Sequence, residues 1–311
     1  MTRARWVVFA YHTIGARALE ALVARGEHVA AVVTHPDDPG EGSWFESVAD
    51  VARIHRIPCL MPPSPNLPET VETLRDLAPD LIVSVWYRRL LAPELLALPR
   101  VAALNLHGSL LPAYRGRAPL NWVIVHGEPR TGVTLHHMTA TADTGDIVAQ
   151  RPIDIEPDDT AFTLYERMTK IGVELLLESY PAVLAEMAPR IPQDPRRATT
   201  MPQRRPEDGR IEWTWPAARI FNMIRAVAEP YPGAFVGDGP ARVHLWAASI
   251  RAASSGGAAP GTVVEIVTSR GIAVATGQGT LLITRVQSAG GVAEPADRWA
   301  AHRAVLPGTR L

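Results

Sequence analysis

Val101-Ala-Ala-Leu-Asn-Leu-His-Gly-Ser-Leu-Leu-Pro112 is the stretch that decides the fold of this chain. Its apolar first half is typical of a short buried strand, which His107 and Gly108 are expected to end. Because alternate strand residues point to the same face, Asn105 and His107 are predicted to lie side by side at the carboxyl end of that strand. Open α/β sheets bind ligands at this edge, so the stretch also predicts the position of a site.

The first two thirds of the chain alternate between segments typical of strands and segments typical of helices. Strands are predicted at 6–10 and 28–34, with an amphipathic helix at 15–25 between them. The same alternation continues with a polar stretch at 36–43, a helix at 44–55, a strand at 58–61, a helix at 69–77, strands at 81–85, 132–138 and 148–155, and a helix through 180. This order predicts an α/β fold with a Rossmann-like, doubly wound parallel sheet.

The composition changes after Pro189. Prolines and arginines cluster there, which predicts a linker at 190–209 after a first domain at 1–189. Short apolar segments separated by glycine turns then predict a small β-barrel domain at 210–311. Its elements are predicted as strands at 210–215, 242–250, 261–268, 271–276 and 279–286, a helix at 216–227, and a hairpin connection at 254–257.

The bulk composition narrows the class of protein. The chain has 31 basic and 32 acidic residues and a formal net charge of −1, so no basic excess suggests a nucleic-acid partner. Cys59 is the only cysteine, which excludes an intrachain disulfide and a cysteine-only metal site. No segment approaches the ~18 apolar residues of a membrane span, and the apolar run near Met1 is too short for a signal peptide. We therefore expect a cytoplasmic protein without membrane contact.

Asp143-Thr-Gly145 follows a later apolar segment and adds a carboxylate to Asn105 and His107. An imidazole can take and return the proton of an attacking amine, a carboxamide can donate a hydrogen bond to an oxyanion, and a carboxylate can raise the pKa of the imidazole. This combination suits acyl transfer without a Ser or Cys nucleophile. The alternative for an Asn-x-His pair at a strand end is a turn with a satisfied polar cap.

These two blocks resemble the 10-formyltetrahydrofolate-dependent formyltransferases. The family signature His-x-Ser-Leu-Leu-Pro, with an Asn two residues before the His, is matched at 105–112, and the Asp-x-Gly turn after a strand is matched at 143–145. The resemblance implies a catalytic first domain, an OB-like C-terminal domain and 10-formyltetrahydrofolate as co-substrate. It also implies that His107 is the general acid/base, that Asn105 stabilises the transition state, and that Asp143 raises the pKa of the imidazole.

The resemblance extends to residues expected to bind the two substrates. The cofactor-binding residues that it implies are Arg89, Leu90, Leu91, Arg117, Thr139, Ala140, Thr141, Ala142 and Asp143. The residues that it implies for the acceptor substrate are Tyr11, His12 and Asn121. Arg115 and Arg117 flank a glycine, and guanidinium groups suit either the glutamate of a folate or a diphosphate. The first strand is not followed by Gly-x-Gly-x-x-Gly, so the sheet does not imply NAD.

Further blocks resemble the branch of the family that formylates UDP-4-amino-4-deoxy-L-arabinose on the way to polymyxin-resistant lipid A. They are Phe9-Ala-Tyr-His12, Thr34-His-Pro-Asp-Asp-Pro-Gly40, Tyr114-Arg-Gly-Arg-Ala-Pro-Leu-Asn-Trp122 and Arg225-Ala-Val-Ala-Glu-Pro-Tyr-Pro-Gly-Ala-Phe235. The resemblance implies formyl transfer to the 4-amino group of this nucleotide sugar. In that branch the domain is part of a bifunctional enzyme, so the sequence leaves open whether this chain is a stand-alone enzyme or a fragment.

Formylation of methionyl-tRNA is the main alternative. That reaction calls for a basic surface that holds a polyanion, whereas Lys170 is the only lysine here and Asn121-Trp122 resembles the sugar branch. A formyltetrahydrofolate hydrolase is expected to carry a regulatory domain before a first strand such as the one at Trp6, and a non-catalytic module is expected to lack the catalytic residues. The predicted partners are a folate and a nucleotide sugar, and the oligomeric state is open between a monomer and a homodimer.

The histidines do not pair at the spacing of a metal site, so we predict no metal. Those considered are His12, His35, His126, His136, His137 and His244. His136 and His137 precede the Asp143 turn. For these two, lining the folate pocket and a hydrogen-bonded structural role are equally open.

Overall fold

The computed structural model describes residues 3–37, 44–251 and 256–311, which divide into two units. The first unit comprises Met1–Pro119, Arg130–Asp154 and Tyr165–Pro202, and the second comprises Leu120–Pro129, Ile155–Leu164 and Gln203–Leu311. The domain bounds of 1–189, 190–209 and 210–311 stay a prediction. Most of the predicted polar stretch at 36–43, and positions 254 and 255 of the predicted hairpin connection, lie outside the described residues.

A seven-stranded sheet forms the centre of the first unit. Its strands are β1 (Arg5–Ala10), β2 (His28–Val33), β3 (Cys59–Leu60), β4 (Leu81–Val85), β5 (Ala102–His107) and, after the short β6 (Arg115–Gly116), β7 (Arg130–His137) and β8 (Ile147–Asp154). They pair in the order β3-β2-β1-β4-β5-β7-β8, with β1 to β5 parallel and β7 antiparallel to both of its neighbours. The predicted Rossmann-like, doubly wound sheet is confirmed. Strand β6 pairs instead with β9 (Thr200–Met201).

Helices cover both faces of this sheet. The helices in this part of the chain are α1 (His12–Ala24), α2 (Val48–Ile54), α3 (Pro68–Asp76), α4 (Pro93–Leu96), α5 (Pro119–His126) and α6 (Ala161–Leu184), of which α5 after Pro119 and α6 up to Leu164 belong to the second unit. Val71 of α3 and Leu95 of α4 belong to one buried cluster with Ala103 of β5. On the opposite face, a Cβ at Gly172 of α6 would lie 3.2 Å from Leu106. Because strand residues alternate between faces, Asn105 and His107 share the face of Ala103.

Two helix starts depend on local chemistry. Helix α1 follows β1 directly, and a Cβ at Gly15 would lie 2.9 Å from the Cβ of Ala10, so only a glycine permits this close approach. Helix α2 begins at Val48 because Ser47 caps it: its Oγ accepts a 3.3 Å hydrogen bond from the N–H of Asp50. The predicted helix start at 44 is therefore four residues too early.

The second unit is built on an antiparallel sheet. Its strands are β10 (Ala234–Val236), β11 (Val243–Arg251), β12 (Val263–Val267), β13 (Gly271–Ala275), β14 (Thr280–Ser288) and β15 (Glu294–Pro295), and its later helices are α7 (Ala217–Val227) and α8 (Ala296–His302). The strands pair in the order β10-β11-β14-β13-β12, with β15 also on β14. The strands predicted at 242–250, 261–268, 271–276 and 279–286 are confirmed as β11 to β14, whereas closure into an OB-like barrel stays a prediction.

One strand prediction in this unit is wrong. Residues 210–215 form no strand: Arg210 makes an isolated bridge to Phe235, and the N–H of Trp215 turns back to the carbonyl of Glu212 at 2.9 Å. The turn is held by Gly277, whose N–H donates to carbonyls of this segment. The predicted linker contains β9 and two short 3₁₀ turns, Pro195–Arg197 and Pro206–Gly209. In the described part of the chain, no helix combines the length and apolar character needed to cross a membrane.

Candidate active site

Strands β5 and β7 pair so that four polar side chains meet. The antiparallel register places Asn105 opposite His136, and His107 opposite Thr134. Directly opposed residues of antiparallel strands share a face, so these side chains lie together at the carboxyl end of β5. His107 is the last residue of β5, so the strand extends one residue beyond its predicted end at Leu106.

Asp143 lies in the loop between β7 and β8 and points back to this cluster. Its Oδ1 is 3.5 Å from Nδ1 of His107 and 3.4 Å from Nδ2 of Asn105. Its Oδ2 accepts a 2.8 Å hydrogen bond from the backbone N–H of Gly116. The φ of Asp143 is 55°, in the left-handed region that turns the chain sharply. The structure thus brings Asn105, His107 and Asp143 together, and we call them the trio.

The imidazole of His107 is buried and has an acceptor beside each nitrogen. Nε2 donates a 2.8 Å hydrogen bond to the carbonyl of Tyr114, and Nδ1 faces the carboxylate of Asp143. Burial lowers the pKa of His107 by more than Asp143 and the Tyr114 carbonyl raise it. The resting ring is therefore neutral at pH 7, with its lone pair on Nδ1. Asp143 thus acts on the pKa of His107 in the predicted upward direction, but burial has the larger and opposite effect.

Asp143 stays ionised beside that ring. Burial raises the pKa of its carboxyl group, but His107, His136 and the Gly116 N–H together outweigh burial and hold the pKa well below its usual range. A carboxylate next to a neutral imidazole stabilises the imidazolium that forms when the ring takes up a proton. The pair is therefore arranged to accept a proton during a reaction.

Thr134 holds the Ser-Leu-Leu-Pro segment in place through hydrogen bonds to its backbone. Its Oγ1 donates a 2.6 Å hydrogen bond to the carbonyl of Ser109 and accepts one from the N–H of Leu111 at 3.1 Å. Nε2 of Gln150 on β8 donates to the carbonyl of Leu111 at 2.8 Å. These bonds fix the loop that carries the Tyr114 carbonyl to His107.

Gln193 supports the Asp143 loop, and sequence reasoning missed it. Its Nε2 donates to the carbonyls of Asp143 at 2.9 Å and Gly145 at 2.7 Å, while its Oε1 accepts from Nη2 of Arg115 at 2.6 Å. Gln193 lies 50 positions from Asp143, within the predicted linker. No local pattern connects two segments at that separation.

Gly145→Ala is expected to displace the Asp143 loop. A Cβ at this position would overlap the carbonyl oxygen of His137, so the backbone has to move. We expect a loss of about 1–3 kcal/mol in the free energy of unfolding, measured by chemical denaturation. Gly291→Ala is the control, because its Cβ would meet nothing nearer than 3.3 Å. Equal losses in the two variants would contradict the prediction.

A cavity of about 340 Å³ opens at the same edge of the sheet. It is lined by Tyr11, His35, Pro36, Arg88, Arg89 and Arg117. Most of these residues follow β1, β2 and β4, and the strand order reverses between β1 and β4, which is where open α/β sheets bind ligands. Arg117 directly follows Gly116, whose N–H bonds Asp143, so one loop joins the cavity to the trio.

Three arginines give this cavity a positive charge. The backbone N–H of Arg88 donates to Nε2 of His35 at 3.1 Å, and its guanidinium lies 3.0 Å from Nε2 of His12 and over the ring of Tyr11. Burial, helped by the arginines, lowers the pKa of His12 to about 3 and that of His35 to about 4. Both histidines are therefore neutral at pH 7, and the guanidinium groups suit carboxylates or phosphates.

Only some of the other predicted binding residues line the cavity. Arg89, Arg117 and Tyr11 line the cavity, whereas Leu91 is buried in the core and Leu90 is 61% exposed. His35 and Arg88 are cavity residues that sequence reasoning did not assign to a ligand. Their only available signal was their position after the predicted strands at 28–34 and 81–85.

The remaining predicted positions fall in two places. The residues in the loop between β7 and β8, ahead of Asp143, are Thr139, Ala140, Thr141 and Ala142, and Oγ1 of Thr139 donates to the carbonyl of Thr141 at 2.9 Å. Asn121 lies in the second unit, where its buried Nδ2 donates to the carbonyl of Ala226 at 2.8 Å. That contact is structural, and a substrate role for Asn121 stays a prediction. Within the described ranges, no three His, Cys, Asp or Glu side chains are grouped to hold a metal ion.

Comparison with known proteins places the chain in a family. A family model described as "Formyl transferase" matches residues 4–180, and one described as "Formyl transferase, C-terminal domain" matches residues 204–304. The chain belongs to the formyl transferase family. The signature at 105–112 and the turn at 143–145 lie within the first match.

Several solved structures are similar to this formyl transferase. HypX from Aquifex aeolicus in complex with tetrahydrofolic acid is 21% identical with a TM-score of 0.66, and the match covers 97% of this chain and 47% of HypX. An N-formyltransferase from Helicobacter canadensis, in complex with folinic acid and dTDP-3-aminofucose, is 19% identical over 91% of this chain and 99% of that one, with a TM-score of 0.71. Methionyl-tRNA formyltransferase from Clostridium thermocellum is 20% identical over 80% and 94%, with a TM-score of 0.58. The chain thus spans about half the length of HypX, and these likenesses show a shared fold.

Proposed function

We propose that this formyl transferase moves the formyl group of 10-formyltetrahydrofolate to the 4-amino group of a nucleotide-linked sugar, UDP-4-amino-4-deoxy-L-arabinose. The observation that carries the proposal is the trio at the carboxyl end of β5, joined by one loop to an arginine-lined cavity. The bound folate supplies the formyl carbon and a leaving nitrogen. We also propose a cytoplasmic location. For the oligomeric state we propose either a monomer or a homodimer.

His107 takes the proton that the sugar amine loses as it attacks the formyl carbon. The ring is neutral at rest, and desolvation in a buried site also favours the uncharged amine. Nδ1 is the accepting nitrogen, because Nε2 is bonded to the carbonyl of Tyr114. The protonated ring has both N–H groups satisfied, by Asp143 and by Tyr114, and can return the proton toward the leaving nitrogen.

Asn105 donates a hydrogen bond to the formyl oxygen as negative charge develops there. Its Nδ2 makes a contact of 3.4 Å to Asp143, which is long for a hydrogen bond and can be exchanged for a better acceptor. Loss of a donor that serves a developing oxyanion lowers the rate about 100- to 1000-fold in other enzymes. Asn105 therefore serves the transition state more than the bound substrates.

The arginine-lined cavity suits the anionic parts of both ligands. A folate carries glutamate carboxylates and a nucleotide sugar carries a diphosphate, and guanidinium groups match both. For the folate we propose Arg89, Leu90, Leu91 and Arg117, with the loop at 139–142 beside Asp143. For the nucleotide sugar we propose Tyr11 and His12, at the end of β1.

Charge favours a sugar over a tRNA as the acceptor. The chain has one basic residue fewer than acidic residues, whereas a tRNA partner calls for a basic surface. The Helicobacter canadensis enzyme, similar over nearly its whole length, was crystallised with a nucleotide-linked amino sugar. Methionyl-tRNA is the second candidate, since the Clostridium thermocellum enzyme shares the fold over 94% of its length.

Competition between the two acceptors tests the proposal. With 10-formyltetrahydrofolate as donor, we expect kcat/KM for UDP-4-amino-4-deoxy-L-arabinose to exceed that for methionyl-tRNA by about 1000-fold or more, since a missing basic surface weakens polyanion binding by such factors. Mass spectrometry of each product measures the formyl group. Efficient formylation of the tRNA overturns the proposal, and transfer to another nucleotide-linked 4-amino sugar corrects the sugar alone.

A further inference from the structure

We infer that His136 is a positioning residue for this reaction: it holds the carboxamide of Asn105 so that one amide N–H is directed at the formyl oxygen. The inference deepens the proposed function and rests on the role of Asn105 given above. His136 is 2% exposed and lies directly opposite Asn105 in the β5–β7 pairing. It is therefore a buried polar side chain with a fixed partner.

The tautomer of the His136 ring follows from the groups beside its two nitrogens. Nδ1 lies 2.8 Å from the carbonyl oxygen of His137, and a carbonyl only accepts, so Nδ1 carries a hydrogen. Nε2 lies 3.1 Å from Nδ2 of Asn105 and 3.5 Å from Oδ1 of Asp143. The nearer partner is an amide nitrogen, which only donates, so Nε2 accepts from it with its lone pair. The carbonyl of His137 thus selects the tautomer that makes His136 an acceptor for Asn105.

Asp143 shows which end of the carboxamide faces His136. The ionised Oδ1 of Asp143 lies 3.4 Å from the same amide nitrogen, and a carboxylate only accepts. The amide nitrogen therefore belongs between these two acceptors. A carboxamide turned by 180° would present its oxygen to a carboxylate and to the lone pair of the ring.

The two amide hydrogens of Asn105 are held unequally. His136 receives one across 3.1 Å, and the other has only the 3.4 Å contact to Asp143. The bond to His136 fixes the plane of the carboxamide, and the second N–H keeps its direction when the formyl oxygen replaces Asp143 as its acceptor. Without an acceptor at position 136 the carboxamide of Asn105 rotates about χ2, a torsion with a broad energy minimum. The second N–H then no longer points at the formyl oxygen. Such misplacement lowers rates about 10- to 100-fold in other enzymes.

Two substitutions of His136 separate positioning from packing. His136→Leu removes the acceptor, and we expect kcat to fall about 10- to 100-fold with KM for folate and sugar within about threefold, because only the transition state uses the aimed N–H. His136→Gln keeps an acceptor oxygen near the position of Nε2, so it should restore kcat to within about threefold of the wild type. His244→Leu is the control, since His244 lies on β11 in the second unit, and kcat should be unchanged.

A double-variant cycle shows whether His136 acts through Asn105. If it does, adding His136→Leu to Asn105→Ala lowers kcat no further than Asn105→Ala alone. A full additive loss overturns the inference. So does a His136→Leu enzyme with wild-type kcat, one with raised KM alone, or a His136→Gln enzyme as slow as His136→Leu.

The ring tautomer provides a test that needs no turnover. Nitrogen-15 NMR of histidine-labelled protein should show His136 with its hydrogen on Nδ1, and a hydrogen on Nε2 overturns the inference even if every variant is poorly folded. The proposed function fails separately. It fails if the wild type does not formylate the nucleotide sugar, or if Asn105→Ala keeps full turnover.

Discussion

Turnover of the His107→Ala enzyme is expected to fall about 1000-fold, because the attacking amine then loses its proton acceptor. The KM for folate should stay within about threefold, since the ring serves the transition state and the arginine-lined cavity lies elsewhere on the edge. Steady-state formylation measured by mass spectrometry gives kcat. Titration calorimetry with tetrahydrofolate gives the affinity.

Two further variants make this result interpretable. His107→Gln keeps more of the buried volume than Ala and should be similarly slow, which separates loss of the base from loss of packing. His55→Ala, at an exposed position, should keep wild-type kcat. Near wild-type turnover in His107→Ala would show that another group accepts the proton, and an equal loss of folate affinity would make His107 a binding residue.

The period-two alternation of residues 102–107 was sufficient to place Asn105 and His107 on one face, because a strand has only two faces. The topological rule for α/β sheets likewise placed the site at the carboxyl ends of the strands. Both inferences need only local pattern. The strand at 210–215 failed for the opposite reason, since Gly277, distant in sequence, bonds the carbonyls of Trp213 and Trp215 and holds a turn.

The contact between His136 and Asn105 could not be predicted from a single sequence. His136 and His137 are adjacent on one strand, so they point to opposite faces, and either could have met Asn105. Only the register between 102–107 and 130–137 decides, and register depends on pairing between segments that are distant along the chain. Gln193 and Arg88 are hidden in the same way, because each acts through contacts that the fold creates.

The net direction of the pKa shift of His107 could also not be predicted from the sequence. The Asp143 turn predicts a carboxylate near the imidazole and therefore an upward effect on its pKa. The size of the opposing effect depends on how completely the ring is buried, and His107 is 6% exposed. Burial therefore reverses the sign that the charge alone would give.

Asp143→Asn is expected to lower kcat about 100-fold and to move the acidic limb of the pH–rate profile toward lower pH. In the wild type, burial lowers the pKa of His107 and the charge of Asp143 partly opposes it. Removing the charge leaves burial unopposed, so the pKa of His107 falls further. The rate rises with pH as the ring loses its proton, because the neutral ring is the proton acceptor. The rise in rate must therefore shift to lower pH together with the pKa of His107. The maximal rate at high pH also falls, because the imidazolium of His107 is no longer stabilised by a carboxylate.

Asp146→Asn is the matched control for this shift, because Asp146 lies three residues further along and pairs with Arg190. It should leave the acidic limb where the wild type has it. A limb that moves to higher pH in Asp143→Asn would mean that the carboxylate lowers the pKa of the catalytic group, which no anion near a cationic acid can do. An unmoved limb with a lowered plateau would assign Asp143 to orienting the ring, and an unmoved limb with an unchanged plateau would remove Asp143 from the mechanism. Only a downward shift together with a lower plateau fits a carboxylate that stabilises the imidazolium of His107.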